Sequence, residues 1–470
     1  MRIRRLASIA TLLVTLFVVV DAATGAPHYQ MHVAVDYDAG AYDGGMRLEY
    51  TNRTGASLGE LFFRLYPNAT GIYGDATLRV TETLVDGQVV ETTMYVDDTV
   101  LYVPLPDSLA PDASVSVALT FEGSADDWTG ATPPDEDAYG LLTRSDHAMT
   151  MTAFYPILAI YSDEGWGLDP VLPFGDALMS AAASYDVTVT VPDGIEPVAS
   201  GVRTEQSAAD GTVTHRFTVD GARDFSLVLL DGYDQQTGGT DDVAMHAWFT
   251  PQRSRAGSIA LRVAQDATVL YTARVGPMRY REVDLVEVPL QVAAGVEFSG
   301  LILIGSAYAE RPLETFYAII VSHEMAHQWF YAGVGNDPSE HPWLDESFAT
   351  YFSYLSLDAF YGSRVADTTL RQWEQSYEQA RRNGPDVSVG SPLYAFSGSA
   401  TYSGYVYSGG ALFLHAVREV LGDEAFFAAL ASYYERHLGR IVSPKDLIDS
   451  LETGCACDLT EVLDAYGLGR

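Results

Sequence analysis

Residues Leu313 to Tyr331 (LETFYAIIVSHEMAHQWFY) run without Gly or Pro and carry apolar side chains on several faces, a pattern that predicts a buried helix. Residues four apart share a helix face, so His323 and His327 can present imidazole nitrogens to one point. Glu324 stands one step round, where it can reach a water near that point without displacing either histidine. Such a pair suits a metal ion, and a hydrolytic metal site needs a third protein ligand plus one open position.

The candidate third ligand is Glu346, which follows His327 after eighteen intervening residues, inside the run WLDESFATY that starts at Trp343. Between them lie Gly333, Gly335, Asn336, Asp337 and Pro338, which read as turn chemistry. Asp345 to Phe360 then reads as a second helix, acidic in its first turn where the helix dipole favours negative charge. Helix, loop and returning helix can bring Glu346 beside the two histidines.

These residues resemble the aminopeptidase N family of gluzincin zinc metallopeptidases, in which H-E-x-x-H is followed, after the same interval, by a Glu within W-L-N-E-G-F-A. The second motif here is W-L-D-E-S-F-A, and the departures Asp345 and Ser347 spare the ligand itself. The resemblance implies one zinc ion held by His323, His327 and Glu346, with Glu324 as general base. The segment Tyr407-Ser408-Gly409-Gly410 is similar to the family's Y-x-x-G, which implies that Tyr407 is the phenol stabilising the oxyanion. Tyr402 and Tyr405 lie nearby but lack a glycine at that offset. Ala294-Gly295-Val296-Glu297-Phe298 resembles the substrate-anchoring G-x-M-E-N strand, with Ala, Val and Phe replacing its Gly, Met and Asn. It implies that Glu297 binds the substrate's α-amino group and that Gly295 lies along the substrate.

From Tyr29 to about Tyr233, short stretches of period-two apolar spacing, such as Val115 to Phe121 and Tyr185 to Val191, are separated by Gly, Asp, Asn and Pro. Leu61 to Asn68 and Tyr185 to Pro192 also resemble strands of the family's N-terminal β-domain. Ser124 to Asp137, acidic and Pro-containing, reads as a loop, and the polar, Gly-rich Gln235 to Asp242 marks a domain boundary. Beyond it, strand-like Ala244 to Phe249 and Val283 to Val288 flank a helix, and further helical segments follow. The expected fold is α+β: an all-β, saddle-like domain at 23–235, then a thermolysin-like, mainly helical domain at 236–470. The sequence as it stands ends at Arg470, so a short member without the family's C-terminal helical-repeat domain is expected.

Met1 to Ala22 has a different character. Arg2, Arg4 and Arg5 precede an uncharged apolar run of 15 residues, Leu6 to Val20, and Val20-Asp21-Ala22 offers a small-residue cleavage site. That run suits a signal peptide and falls short of the roughly 20 residues a spanning helix needs. Export to a secreted, periplasmic or cell-surface location is expected, with an uncleaved N-terminal membrane tether as the alternative. The formal charge of −36 excludes nucleic acid as a natural partner, since no basic patch is visible. Cys455 and Cys457 are the two cysteines, too few for a disulfide framework; free thiols or a local bridge are the alternatives, with no catalytic role.

Combined, the resemblance implies an exported zinc metallopeptidase acting on peptides or proteins and releasing N-terminal residues. The departures around Glu297 leave a zinc endopeptidase as one alternative, and a non-catalytic binding protein on a peptidase fold is another. Side-chain preference and oligomeric state have no sequence signal.

Overall fold

A computed structural model describes residues 25–130, 139–162, 164–455 and 457–469. Residues 1–22, read above as a signal peptide, and residues 131–137 of the acidic loop lie outside the described residues. The architecture is α+β, strand-rich first and mainly helical after. Period-two spacing does what it predicts in the largest sheet, eight strands with His28–Asp36 near its middle, between Ala183–Pro192 and Ala41–Thr51. Tyr185, Val187, Val189 and Val191 point to the buried face while the residues between them stay partly exposed. Shorter sheets close under that face, including one whose strand Ala148–Met151 is buried at every residue.

The second sheet has five strands, ordered Asp234–Gly239, Ala244–Phe249, Glu282–Val288, Leu301–Gly305 and Gly295–Phe298. The polar stretch read as a boundary is therefore largely a strand, with residues 235 and 236 both inside it. Its polar composition follows from its place at a sheet edge, where most of its side chains remain exposed. The central strands are buried on both faces. Leu301 and Leu303 join the core of the β-region, whereas Ile302 and Ile304 join the core under the helices. One sheet thus belongs to two cores and fixes the β-region against the helical part. Among the described residues the other edge strand, Gly295–Phe298, pairs only with Leu301–Gly305.

A buried acid in this sheet has a measurable consequence. Asp284 accepts a hydrogen bond of 2.7 Å from the Trp248 indole, yet burial pushes its carboxyl up to about 8. Between the unfolded value near 4 and that folded value, the native state holds a proton the unfolded chain lacks, so stability falls as pH rises through this window. Asp284→Asn keeps the acceptor for Trp248 and removes the titration. The variant should lose less melting temperature between pH 5 and pH 8 than the wild type; parallel melting curves would contradict the assignment.

The predicted metal-site helix spans Glu314–Ala326 and stops five residues short of Tyr331. The physical reason is tertiary: Tyr331 adopts φ 134°, its carbonyl accepts from Arg223, and its hydroxyl donates to Asp224 at 2.9 Å. The returning helix is Trp343–Tyr361, two residues longer at its start than its sequence pattern suggests. Helix Pro444–Cys455 begins as expected from Ser443-Pro444, with Asp446 accepting from the Ser443 N–H at 2.8 Å. Cys457 is disulfide-bonded, so it is not a free thiol.

Candidate metal centre and cleft

His323, in the last turn of Glu314–Ala326, and His327, at its C-cap, keep the shared face that helical spacing demands. Their Nε2 atoms stand 3.2 Å apart. Glu346, in the first turn of Trp343–Tyr361, brings Oε2 to 3.1 Å from His323 Nε2 and 3.5 Å from His327 Nε2. Ligands at about 2.0–2.1 Å around a tetrahedral ion stand roughly 3.3–3.4 Å from one another, so this triangle fits one metal ion. His327 Nδ1 lies 3.1 Å from the Phe330 carbonyl oxygen, and an N–H there leaves the Nε2 lone pair facing the triangle. The sequence-read ligand set is brought together.

Electrostatics fit the same use. Burial works to raise the Glu346 carboxyl, but hydrogen bonds from His323 and His327 outweigh it and hold the group well below the usual range. It is therefore the ionised ligand of the set. Burial would lower the His327 imidazole, but the negative charge of Glu297 and Glu346 holds it above its ordinary range. The surroundings of the triangle thus favour a positive charge there, which a bound cation would supply in place of the proton. Asp345, left as a neighbour by the sequence, receives the Glu346 backbone N–H at 2.7 Å and so orients the ligand-bearing turn.

Glu324 is buried, and its Oε2 has no hydrogen-bond partner among the described residues. Burial pushes its carboxyl up to about 8, opposed by the nearby histidines. The edge strand passes so close that a Cβ on Gly295 would meet Glu324 Oε1 at 2.5 Å, which accounts for glycine at that position. Two residues on, Glu297 Oε2 stands 3.9 Å from His327 Nε2, with its carboxyl pushed up to about 7 by burial.

Tyr407 donates to Glu346 Oε1, and its ring stacks on His323 with centroids 5.8 Å apart. It sits in a π-helical turn, Gly404–Gly409, just before the helix Gly410–Leu421, a widening that occurs often at functional sites. Gly410 is required by the close approach of two helices, since a Cβ there would fall 1.7 Å from Ser347 Oγ. The other two candidates separate cleanly. Tyr405 turns away to donate to the Gly384 carbonyl at 2.7 Å, while Tyr402 packs edge-on against Tyr407 at 5.7 Å.

His323, Glu324, Glu346, Gly295, Glu297, Tyr402 and Tyr407 line a cleft of about 490 Å³ between the β-region and the helices, and among the described residues no Lys or Arg lines it. Its other walls are largely apolar, with Tyr73, Leu141 and Leu178 on one side and Phe316, Ile319 and Ile320 on another. Sequence reading missed Asp176, which enters this cleft from the β-region and makes no hydrogen bond or ion pair with another described residue. Desolvation, then the negative charge of Glu297, raises its carboxyl well above the usual range. No motif spacing links it to the histidines, so only the tertiary fold could reveal it. Gln328 was passed over as well, although it directly follows the second histidine.

Two helices thus deliver a His–His–Glu triangle that could hold one metal ion, with the buried Glu324 carboxyl beside it. Residues 277–466 match the family model of the peptidase family M1 domain. Aminopeptidase M1-A of Oryza sativa subsp. japonica is 27% identical over 237 residues, covering 46% of this chain and 26% of that protein. Aminopeptidase N of Lactobacillus delbrueckii subsp. lactis is 29% identical over 192 residues, covering 37% of this chain and 22% of that protein. These matches span about a quarter of the relatives' length. The crystal structure of an M1 zinc metallopeptidase from Deinococcus radiodurans shares the fold over nearly the whole chain. It has a TM-score of 0.66 and 22% identity, covering 94% of this chain and 93% of that one. A structure of that metallopeptidase with a Tyr-ser-ala substrate bound has the same TM-score of 0.66.

Proposed function

We propose that this protein is a zinc-dependent metallopeptidase that releases N-terminal residues from peptides. The observation that carries the reading is Glu297, a buried carboxylate on a sheet edge 3.9 Å from His327 Nε2, in a cleft that no described lysine or arginine lines. An edge strand can pair with an extended peptide, and a carboxylate there can hold an α-ammonium so that the first peptide carbonyl reaches the metal triangle. Asp176 brings a second carboxyl into the same cleft.

His323, His327 and Glu346 would hold one zinc ion, which when bound makes a water acidic near neutral pH and polarises the scissile carbonyl. Glu324 takes the proton of the attacking water and passes it to the departing amine. Its Oε2 has no hydrogen-bond partner among the described residues, which leaves that oxygen available for the shuttle. Tyr407 turns from Glu346 to donate to the developing oxyanion, a contact typically worth about 3 kcal/mol of barrier. Tyr407→Phe should lower kcat roughly 100-fold with little change in KM. Unchanged kcat would reduce Tyr407 to ring packing against His323.

We extend the proposal to cellular context. Residues 1–22 would direct export, placing the protein in a secreted, periplasmic or cell-surface setting, with a β-domain at 23–235 and a peptidase domain at 236–470. The disulfide at Cys457 supports an oxidising compartment. Mass spectrometry of a pentapeptide and its N-acetylated twin tests the activity. A ladder of losses from the free N-terminus, with the acetylated peptide intact, is expected. Internal fragments from both peptides would replace the reading with an endopeptidase, and intact peptides with zinc-replete protein would leave a binding protein.

A further inference from the structure

The strand bearing Glu297 ends in a turn whose backbone is held by side chains from two directions. Gln328, fully buried, donates from Nε2 to the Phe298 carbonyl at 3.0 Å and accepts the Gly300 N–H on Oε1 at 3.0 Å. From the opposite side Asp224 accepts the Ser299 N–H at 3.1 Å and the Ser299 hydroxyl at 2.9 Å. Asp224 also accepts the Tyr331 hydroxyl, and Arg223 donates its backbone N–H to Ser299 Oγ at 3.0 Å. Phe298, Ser299 and Gly300 therefore each have a backbone group fixed by a side chain. One of those side chains belongs to the residue immediately after the metal-site His327.

We infer that Gln328, backed by Asp224, sets the span between the carboxylate that receives the substrate's amino group and the metal-site histidines. The Glu297 carboxyl is hydrogen-bonded to its own backbone and to no other described residue, so its position is inherited from the strand. The strand is an edge strand with a single pairing partner, and such a strand slides or frays unless its end is pinned. Gln328 pins it to the helix that supplies the histidines, and Asp224 pins it to the β-region. The span decides whether the cleft measures one residue from the amine to the cleaved bond. A slip of about 1 Å at such a site can cost on the order of 100-fold in rate. Gln328 is on this reading a positioning residue, acting through Glu297.

The inference rests on the aminopeptidase reading above, and the test separates the two. Gln328→Met keeps the volume and removes both hydrogen bonds; Gln328→Glu keeps the shape and the acceptor for Gly300, and carries the test if the Met variant does not fold. Each is assayed as full chain for zinc content and for hydrolysis of an aminoacyl amide and its N-acetylated counterpart. The expected result is normal zinc content, KM for the free-amine substrate raised at least about tenfold in the Met variant, and kcat within about threefold of wild type. The ratio of kcat/KM for free over acetylated substrate should fall, by less in the Glu variant than in the Met variant. A folded variant with wild-type KM and ratio overturns the inference, as does loss of zinc with KM unchanged, which would make Gln328 a support for His327. A wild-type protein that does not distinguish the two substrates overturns the aminopeptidase reading instead.

Discussion

Glu324→Ala is expected to give a folded protein that binds zinc normally and has lost about 10²–10⁴-fold in kcat, the range a positioned general base supplies. Zinc should stay because Glu324 makes none of the contacts that hold the triangle, which are confined to His323, His327, Glu346 and the groups behind them. Folding should survive because Glu324 Oε2 has no hydrogen-bonded partner to orphan among the described residues, and removing a buried acid whose carboxyl is pushed up to about 8 relieves a desolvation cost. A thermal melt, a zinc assay and single-substrate kinetics on one preparation would decide the matter. Retained turnover in a folded, zinc-replete variant would remove Glu324 from the mechanism.

Glu346→Gln should act by a different route. Glu346 is the ionised member of the triangle, held well below its usual range against the pull of burial, and its Oε1 receives the Tyr407 hydroxyl. The amide keeps the shape and an oxygen but loses the charge that balances a dication. Removing a group that merely supports a metal ligand costs about 10–100-fold in affinity, so replacing the ligand should cost more than that. Competition with a chelator of known affinity should show weaker zinc binding, and activity should return in part as zinc is raised. The two variants thus separate the roles: Glu324→Ala fails with zinc in place, and Glu346→Gln fails because zinc leaves. Wild-type affinity in the Gln variant would mean that another carboxylate completes the triangle.

How much of this was legible before any coordinates follows from the range of each interaction. His323 and His327 were readable because helix geometry alone sets residues four apart on one face, and Glu346 because a loop rich in turn residues separates two clear helices. The large sheet was readable where one face is wet, as in Tyr185 to Val191, and unreadable where both are buried, as in Ala148–Met151. The stop at Ala326 left no local mark, since Arg223 and Asp224, about a hundred residues away, claim the carbonyl and hydroxyl of Tyr331. Asp234–Gly239 passed for a linker because an edge strand has little to bury. Asp176 and Gln328 needed the tertiary fold, which alone places the first in the cleft and the second against the Phe298–Gly300 turn.

Titration of metal-free protein with zinc, read by the hydrolysis rate of a free-amine aminoacyl amide, tests metal-dependent aminopeptidase activity at this triangle most directly. The rate should be negligible without metal, rise in proportion to added zinc, break at one equivalent per chain, and remain absent throughout for the N-acetylated amide. A rate that is present without metal, or that zinc never elicits on a free-amine substrate, would contradict it.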